Sequence, residues 1–63
     1  MRNEIRGRDG RLIAYREEHG GRIVLRGSNG ILLGFYDVSG DRTYDASGCF
    51  VATGDALGTL IDR

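Results

Sequence analysis

The sequence predicts one all-β domain, residues 1–63, built from three tandem β-hairpin repeats. Turn dipeptides recur at Asp9-Gly10, Asn29-Gly30 and Ser47-Gly48, so their glycines are 20 and then 18 residues apart. Two large apolar residues follow each glycine at the second and third positions, and another glycine stands ten positions on. No apolar pattern with helical spacing persists for ten residues, so helix is not expected over most of the chain.

Each repeat is predicted to contain a strand, a tight turn, a second strand and a linking turn. Asp-Gly and Asn-Gly are strong signals for a type I′ hairpin turn, in which both central residues need positive φ. We therefore assign structural roles to Gly10, Gly30 and Gly48. The predicted strands are 4–8, 11–17, 22–27, 31–38, 42–46 and 49–54.

The first two repeats follow the same order of residues. Leu12-Ile13 begins the second strand of the first repeat, which ends at a linking turn over 18–21. Leu32-Leu33 begins the equivalent strand of the second repeat, which ends at a linking turn over 39–41. Both linking segments are rich in residues that favour turns.

The third repeat differs at its end. Phe50-Val51 begins the second strand, as in the other repeats. Asp55 is then placed to cap a short helical turn with Leu57, Leu60 and Ile61 on one face. The chain after residue 54 is therefore the one segment in which helix is expected.

Apolar residues at consecutive positions suggest that the second strands are covered on both faces, because a half-exposed strand should alternate. The residue after each apolar pair is small: Ala14, Gly34 or Ala52. A small residue indicates close approach of another backbone or ring. Three hairpins arranged radially would satisfy both features, and a plain meander would need a second copy to cover both faces.

Three segments resemble the petals of small bacterial and phage hairpin-repeat proteins described as β-flowers. They are residues 8–15 (RDGRLIAY), 28–35 (SNGILLGF) and 44–52 (YDASGCFVA). The resemblance spans about residues 4–54 and implies architecture alone, since it transfers no catalytic residue. The four-fold form has four petals, so the two termini would have to supply the fourth.

Size and composition suggest a globular protein that associates with itself. The chain has 63 residues, of which 40% are hydrophobic and 29% charged, which argues against disorder. A domain of this size buries only about 60% of the surface of its unfolded chain, which leaves little net stability. We therefore expect a homo-oligomer, in the form of a closed homodimer that pairs the strand edges of two copies. The single Cys49 and the lack of an apolar leader or membrane-length run favour the cytoplasm, of its own cell or of a host, with no membrane partner.

The charges are balanced in total and unevenly distributed along the chain. Residues 1–31 carry seven Arg and four acidic residues, a net +3, whereas residues 32–63 carry two Arg and five Asp, a net −3. Such a distribution predicts a polarised surface if the two halves of the chain do not interleave.

No set of residues predicts catalysis, a metal site or a cofactor, so an enzyme is not expected. His19 is the only histidine and has no second His or Cys to complete a metal site. Asp37, Asp41 and Asp45 recur every four residues, which is not the ligand spacing of a calcium loop. Cys49 is interpreted as a small packed side chain.

Candidate binding residues come from the arginines of the first half, which could make a phosphate-binding face: Arg6, Arg8, Arg11, Arg16, Arg22 and Arg26. Arg6, Arg8 and Arg16 are predicted to share an outward direction, and Arg26 with a stacking ring at Tyr15 would extend this basic face. Interspersed acidic residues and zero net charge argue against nucleic acid as the main partner.

By elimination, the leading interpretation is a non-enzymatic protein-interaction module. A short chain with a rigid repeated frame suits an inhibitor or adaptor that binds a larger assembly, such as a phage- or mobile-element-encoded inhibitor of a host defence complex. The alternative is a nucleic-acid or small-ligand binder that uses the Arg-rich face.

Overall fold

The computed structural model describes residues 2–61, which form one antiparallel sheet of six strands. The strands lie in chain order across the sheet, so the fold is a meander. Their bounds are β1 Arg2–Arg6, β2 Leu12–His19, β3 Arg22–Gly27, β4 Leu32–Asp37, β5 Arg42–Asp45 and β6 Phe50–Thr53. The all-β prediction is confirmed, and the meander is the arrangement that the protein adopts.

The three hairpin turns lie at the predicted dipeptides, but they are not type I′ turns. In the first, the Gly10 N–H donates to the Gly7 carbonyl at 3.0 Å, and the Gly7 N–H donates to the Arg11 carbonyl at 2.9 Å. Gly10, Gly30 and Gly48 have φ between 81° and 89°, whereas the residues before them have no positive φ. Each loop is therefore a type I turn closed by a left-handed glycine, a common three-residue hairpin loop.

A β-bulge accompanies each of these turns. Two residues of the first strand face three of the second, and the extra residues are Ile13, Leu33 and Val51. Three-residue loops of this kind commonly carry such a bulge. The bulge displaces the regular alternation just where the apolar pairs stand. Within residues 2–61 the two faces are not both covered, because Phe50 on one face is 57% exposed. The meander is the arrangement for which a second copy was expected to cover both faces.

Each turn is stabilised by one carboxylate or amide side chain. In the first two turns, Asp9 or Asn29 accepts a hydrogen bond from the backbone N–H two residues later, at 3.0 and 3.1 Å. Ser47 holds this position in the third turn, where Asp45 Oδ1 instead accepts from the N–H groups of Ser47 and Cys49, both at 3.0 Å. In the third turn the side-chain acceptor, Asp45, therefore stands two residues earlier than Asp9 and Asn29 do in theirs.

The position of the side-chain acceptor also explains why the first two turns begin with glycine. Gly7 and Gly27 occupy the position of Asp45. A Cβ at Gly27 would lie 3.1 Å from Asn29 Oδ1, a distance tighter than most Cβ contacts. The acceptor side chain therefore occupies space that a side chain at the first turn position would need.

The core lies on one face of the sheet, which we call the covered face because the 3₁₀ turn Leu57–Leu60 packs on it. Ala14 and Leu25 from the sheet and Leu57 from the turn form its centre, each at most 1% exposed. Half-buried apolar side chains surround them: Ile5, Ile23, Leu33, Tyr36, Leu60 and Ile61. Burial of an aliphatic side chain contributes about 1.5–3 kcal/mol, so this small cluster provides the main apolar stabilisation of the fold.

Polar contacts fix the 3₁₀ turn on the covered face. Thr43 is fully buried, and its hydroxyl donates to the Gly54 carbonyl at 2.6 Å and accepts from the Ala56 N–H at 2.9 Å. Asp55 Oδ1 accepts from the Leu57 N–H at 3.3 Å, but the N-cap position predicted for Asp55 is held by Ala56, which makes no side-chain cap hydrogen bond. Within residues 2–61 this turn is the only helical element, and no helix there is long or apolar enough to cross a membrane.

The predicted close approach at a small residue is found at Gly34. A Cβ there would overlap the side chain of Leu60 and lie 2.5 Å from the Tyr44 carbonyl oxygen. The glycine therefore allows β5 and the 3₁₀ turn to close on β4.

The meander keeps the oppositely charged halves of the chain apart. Residues 2–31, which contain β1–β3, carry seven Arg and four acidic residues, a net +3. Residues 32–61, which contain β4–β6 and the 3₁₀ turn, carry one Arg and four Asp, a net −3. The half of the sheet formed by β1–β3 is therefore basic, and the half formed by β4–β6 is acidic.

Candidate interaction surface

The second face of the sheet, which we call the open face, has no element of residues 2–61 packed on it. Side chains of paired residues share a face, so the strand register identifies its members. They are Arg2, Glu4, Arg6, Leu12, Tyr15, Glu17, His19, Arg22, Val24, Arg26, Leu32, Phe35, Asp37, Arg42, Tyr44, Phe50 and Thr53. Five arginines and three acidic residues give this face a net charge of +2.

An aromatic row, Phe35, Tyr44 and Phe50, crosses β4, β5 and β6 on the open face. The rings of Phe35 and Tyr44 are stacked, with centroids 5.1 Å apart and planes inclined by 25°. Tyr44 and Phe50 meet edge to face, with centroids 6.2 Å apart and planes at 72°. Each such pair contributes about 0.5–1.5 kcal/mol beyond its buried area.

The stacked rings stand on edge relative to the sheet. Side chains of cross-strand pairs are about 4.5–5.5 Å apart at Cβ, close to the 5.1 Å between the Phe35 and Tyr44 centroids. Nearly parallel rings at that spacing cover one another's faces. Phe35 and Tyr44 therefore present ring edges to the solvent, and Phe50, whose plane is inclined by 72° to that of Tyr44, is the most exposed member of the row.

Two arginines of the basic half lie over aromatic rings. The guanidinium carbon of Arg22 is 4.8 Å from the Phe35 ring centroid, and that of Arg2 is 4.3 Å from the Tyr15 centroid. These are cation–π contacts, which hold each guanidinium in place. Arg2 Nη2 is also 3.7 Å from Glu4 Oε2, whereas Arg22 forms no ion pair within residues 2–61. Phe35 is thus enclosed by Tyr44 and Arg22.

The predicted binding residues do not form one face. Arg6, Tyr15 and Arg26 lie on the open face, as proposed for a shared surface. Arg16 lies on the covered face, where its Nη2 contacts Asp55 Oδ2 at 2.5 Å, and Arg8 lies in the first hairpin turn. The predicted common direction of Arg6, Arg8 and Arg16 is therefore wrong.

Acidic neighbours neutralise part of the predicted basic face. Arg6 Nη2 is 2.9 Å from Glu4 Oε1, and Arg26 Nε is 3.2 Å from Glu17 Oε1. By contrast, Arg22 and Arg42 form no ion pair with another residue of the described chain 2–61. Of these two open-face arginines, Arg22 belongs to the arginine set considered from the sequence, and Arg42 does not.

The aromatic row was also missing from the predicted site. Its signal was present in the repeat alignment, where Tyr44 takes the place of Arg6 and Arg26 before the turn. The matching residue after the turn, Phe50, is its cross-strand neighbour. An alignment of first strands as well as second strands would have brought the two rings together.

Two titratable side chains, Tyr36 and Asp45, have pKa values shifted by hydrogen bonds within the fold. Tyr36 donates its hydroxyl to Asp41 Oδ1 at 2.5 Å, and this hydrogen bond raises the pKa of the tyrosine. A hydrogen bond from the Ser47 hydroxyl lowers the pKa of Asp45, with the Cys49 N–H as the next cause. Among residues 2–61 no cluster of three His, Cys, Asp or Glu side chains could hold a metal ion.

No protein-family model matches the chain, and no curated protein or solved structure matches it either. The argument about function therefore depends on the geometry of the open face.

Proposed function

We propose that the protein is a non-enzymatic protein-interaction module whose binding surface is the open face. The observation that carries the proposal is the aromatic row on a sheet face that no part of residues 2–61 covers. A sheet normally buries its apolar face against a second layer. Exposed apolar clusters rimmed by polar residues are typical of protein-binding surfaces.

The arginines determine which kind of protein surface fits. Arg22 and Arg42 flank the aromatic row, and the open face as a whole has a net charge of +2. Aromatic residues and arginine are the residue types that most often dominate binding energy at interfaces. The partner surface is therefore apolar at its centre and acidic at its rim.

The nucleic-acid alternative is less well supported by the same rings. Proteins that bind single strands stack bases on free aromatic faces. The faces of Phe35 are covered by Tyr44 and Arg22, and Glu4 and Glu17 neutralise two of the five open-face arginines. A base could stack on Phe35 only by displacing one of its neighbours.

The test compares two variants with the same charge change at different places. Arg22→Glu with Arg42→Glu alters the open face, whereas Arg8→Glu with Arg11→Glu alters the first turn. Tagged wild-type protein and both variants are used to capture proteins from a nuclease-treated lysate of the source cells, and the captured proteins are quantified by mass spectrometry. We expect a protein that wild type and the turn variant capture equally and the open-face variant captures at least about tenfold less, a difference of about 1.4 kcal/mol.

Capture of the same proteins at the same level by all three forms would contradict the proposal. Variant-sensitive capture that occurs in an untreated lysate and disappears on nuclease treatment would instead support the nucleic-acid alternative. We place the protein in the cytoplasm of its own or a host cell, and we propose an inhibitor of a host defence complex, carried by a phage or mobile element, as the specific form of this function. The rigid repeated frame of residues 2–61 supports that form.

A further inference from the structure

The two edges of the sheet differ in their protection against strand addition. β1 and β6 each have one neighbour in the sheet, so each leaves backbone groups unpaired along its outer side. β1 carries Arg2, Glu4 and Arg6, and charged side chains are a usual device against edge pairing. β6 is short and contains the bulge residue Val51, but it has no charged residue.

Two apolar side chains are exposed at the start of β6, next to the third hairpin turn. Phe50 is 57% exposed and Val51 37% exposed. A strand added beside β6 would cover part of both side chains. The edge thus combines unpaired backbone groups with apolar surface.

Charge indicates which strand would fit there. β6 belongs to the half of the sheet with net charge −3, and β1 belongs to the half with net charge +3. Contact between the β6 edges of two copies would bring like charges together, whereas contact between β6 and β1 brings opposite charges together.

The chain already contains the required junction twice. In each hairpin repeat the second strand pairs with the first strand of the next repeat, as β2 with β3 and β4 with β5. β6 is the second strand of the last repeat and β1 is the first strand of the first. Because neighbouring strands alternate in direction, β1 of another copy placed beside β6 continues the antiparallel meander with the open face on the same side.

We propose that β6 of one copy pairs with β1 of the next, so that identical chains extend one sheet head to tail. The register must differ from that of the two internal junctions, where Ala14 lies opposite Gly27 and Gly34 opposite Asp45. The equivalent pair, Ala52 with Gly7 of the next copy, would place residues 2–5 beside residues 54–57, beyond the end of β6. The contact is heterologous, so the rotation per copy determines whether the assembly closes into a ring.

A charge exchange between the two edges tests the proposal. In Val51→Lys with Thr53→Lys the β6 edge becomes basic and repels β1. In Arg2→Glu with Arg6→Glu the β1 edge becomes acidic and is repelled by the acidic half. A control, Val38→Lys with Ser39→Lys, adds the same charge at the exposed turn between β4 and β5. The masses of all four proteins are measured by sedimentation from micromolar to millimolar concentration.

We expect wild type and the turn control to sediment above the 6.9 kDa monomer mass, with association weakened by salt. Each edge variant alone should associate at least about tenfold more weakly, a loss of about 1.4 kcal/mol. An equimolar mixture of the two edge variants should associate again, because the acidic β1 of one faces the basic β6 of the other and the remaining β6 and β1 edges are those of wild type. Circular dichroism and urea midpoints show that each variant is folded, and Thr53→Lys alone replaces the double variant if that one unfolds.

A wild type that stays at 6.9 kDa over the whole range would overturn the proposal. Association of the Arg2→Glu, Arg6→Glu variant at wild-type strength would also overturn it, and would indicate symmetric pairing of two β6 edges. The open-face variant Arg22→Glu, Arg42→Glu should associate as wild type does. Failure of this proposal is therefore distinguishable from failure of the proposed function.

Discussion

Replacement of Gly34 by Ala tests how closely β4, β5 and the 3₁₀ turn are packed. The added Cβ would lie 2.5 Å from the Tyr44 carbonyl oxygen and 3.3 Å from Asp45 Cα, and would overlap Leu60. An ordinary contact between carbon and a carbonyl oxygen is about 3.3 Å or longer, so β4 and β5 must separate by roughly 0.8 Å. Overpacking of this kind costs about 1–3 kcal/mol, and the reduced entropy of the unfolded chain returns about 0.4–1 kcal/mol.

The net loss should be about 1–2 kcal/mol, a large fraction of the stability of so small a domain. With a urea slope of about 1 kcal/mol/M, the unfolding midpoint should fall by about 1–2 M. Gly21→Ala is the matched control, because a Cβ there meets nothing within 4 Å and its φ is not positive. The control should be unchanged or slightly more stable.

A second change separates the two contacts at Gly34. Truncation of Leu60 in the Gly34→Ala background removes the side-chain overlap and leaves the contact with the Tyr44 carbonyl oxygen. If the backbone contact dominates, this double variant recovers no stability. A Gly34→Ala variant as stable as Gly21→Ala would refute the close approach itself.

Four further predictions concern hydrogen bonds made by three residues, Tyr36, Thr43 and Asp45. Thr43→Val leaves the Gly54 carbonyl and the Ala56 N–H without their side-chain partner, and should cost about 1–3 kcal/mol in urea unfolding; an unchanged midpoint would contradict the buried hydroxyl's role. Asp45→Gly should lower the thermal midpoint, and the double variant Asp45→Gly, Ser47→Asn, which recreates the second turn, should restore it; no recovery would refute the exchange of acceptors. The lowered pKa of Asp45 means that its stabilisation is complete above its ordinary value of 3.8 and is lost as pH falls through the folded value, so the difference between wild type and Asp45→Gly should shrink in acid. The raised pKa of Tyr36 gives the opposite sign: its contribution is present below 10.0 and is lost above it, so the advantage of wild type over Tyr36→Phe should shrink in strong base.

The sequence was sufficient to predict the strands and turn positions because both depend on local chemistry. The observed strands overlap all six predicted ranges, and Gly10, Gly30 and Gly48 have the positive φ that the dipeptides indicated. The turn type was not predictable to the same degree. Asp-Gly suits a two-residue turn, and it equally suits the last two residues of a three-residue loop with a bulge.

The candidate surface was harder to predict because it depends on strand register. Ala14 pairs with Ile5 on the covered face, so Arg16, two residues later, lies on that face too. Arg6 follows Ile5 directly and lies on the open face. A shift of one residue moves a side chain to the opposite face, and the bulge at Ile13 introduces such a shift. The contact of Phe35 with Tyr44 joins two repeats, so no single repeat predicts it.

The distribution of apolar side chains links the fold to the proposed function. A sheet is stable when each apolar face packs on another layer, and here the second layer is one 3₁₀ turn centred on Leu57. The aromatic row lies on the other face, where its rings cover one another and leave Phe50 exposed. Cross-strand stacking provides part of the stabilisation that a second layer would provide, and a partner protein on this face would provide the rest. Pairing of β6 with β1 lengthens the sheet without covering the open face. The two proposed contacts are therefore compatible, and head-to-tail assembly would present the aromatic row and its arginines once per copy along a continuous surface.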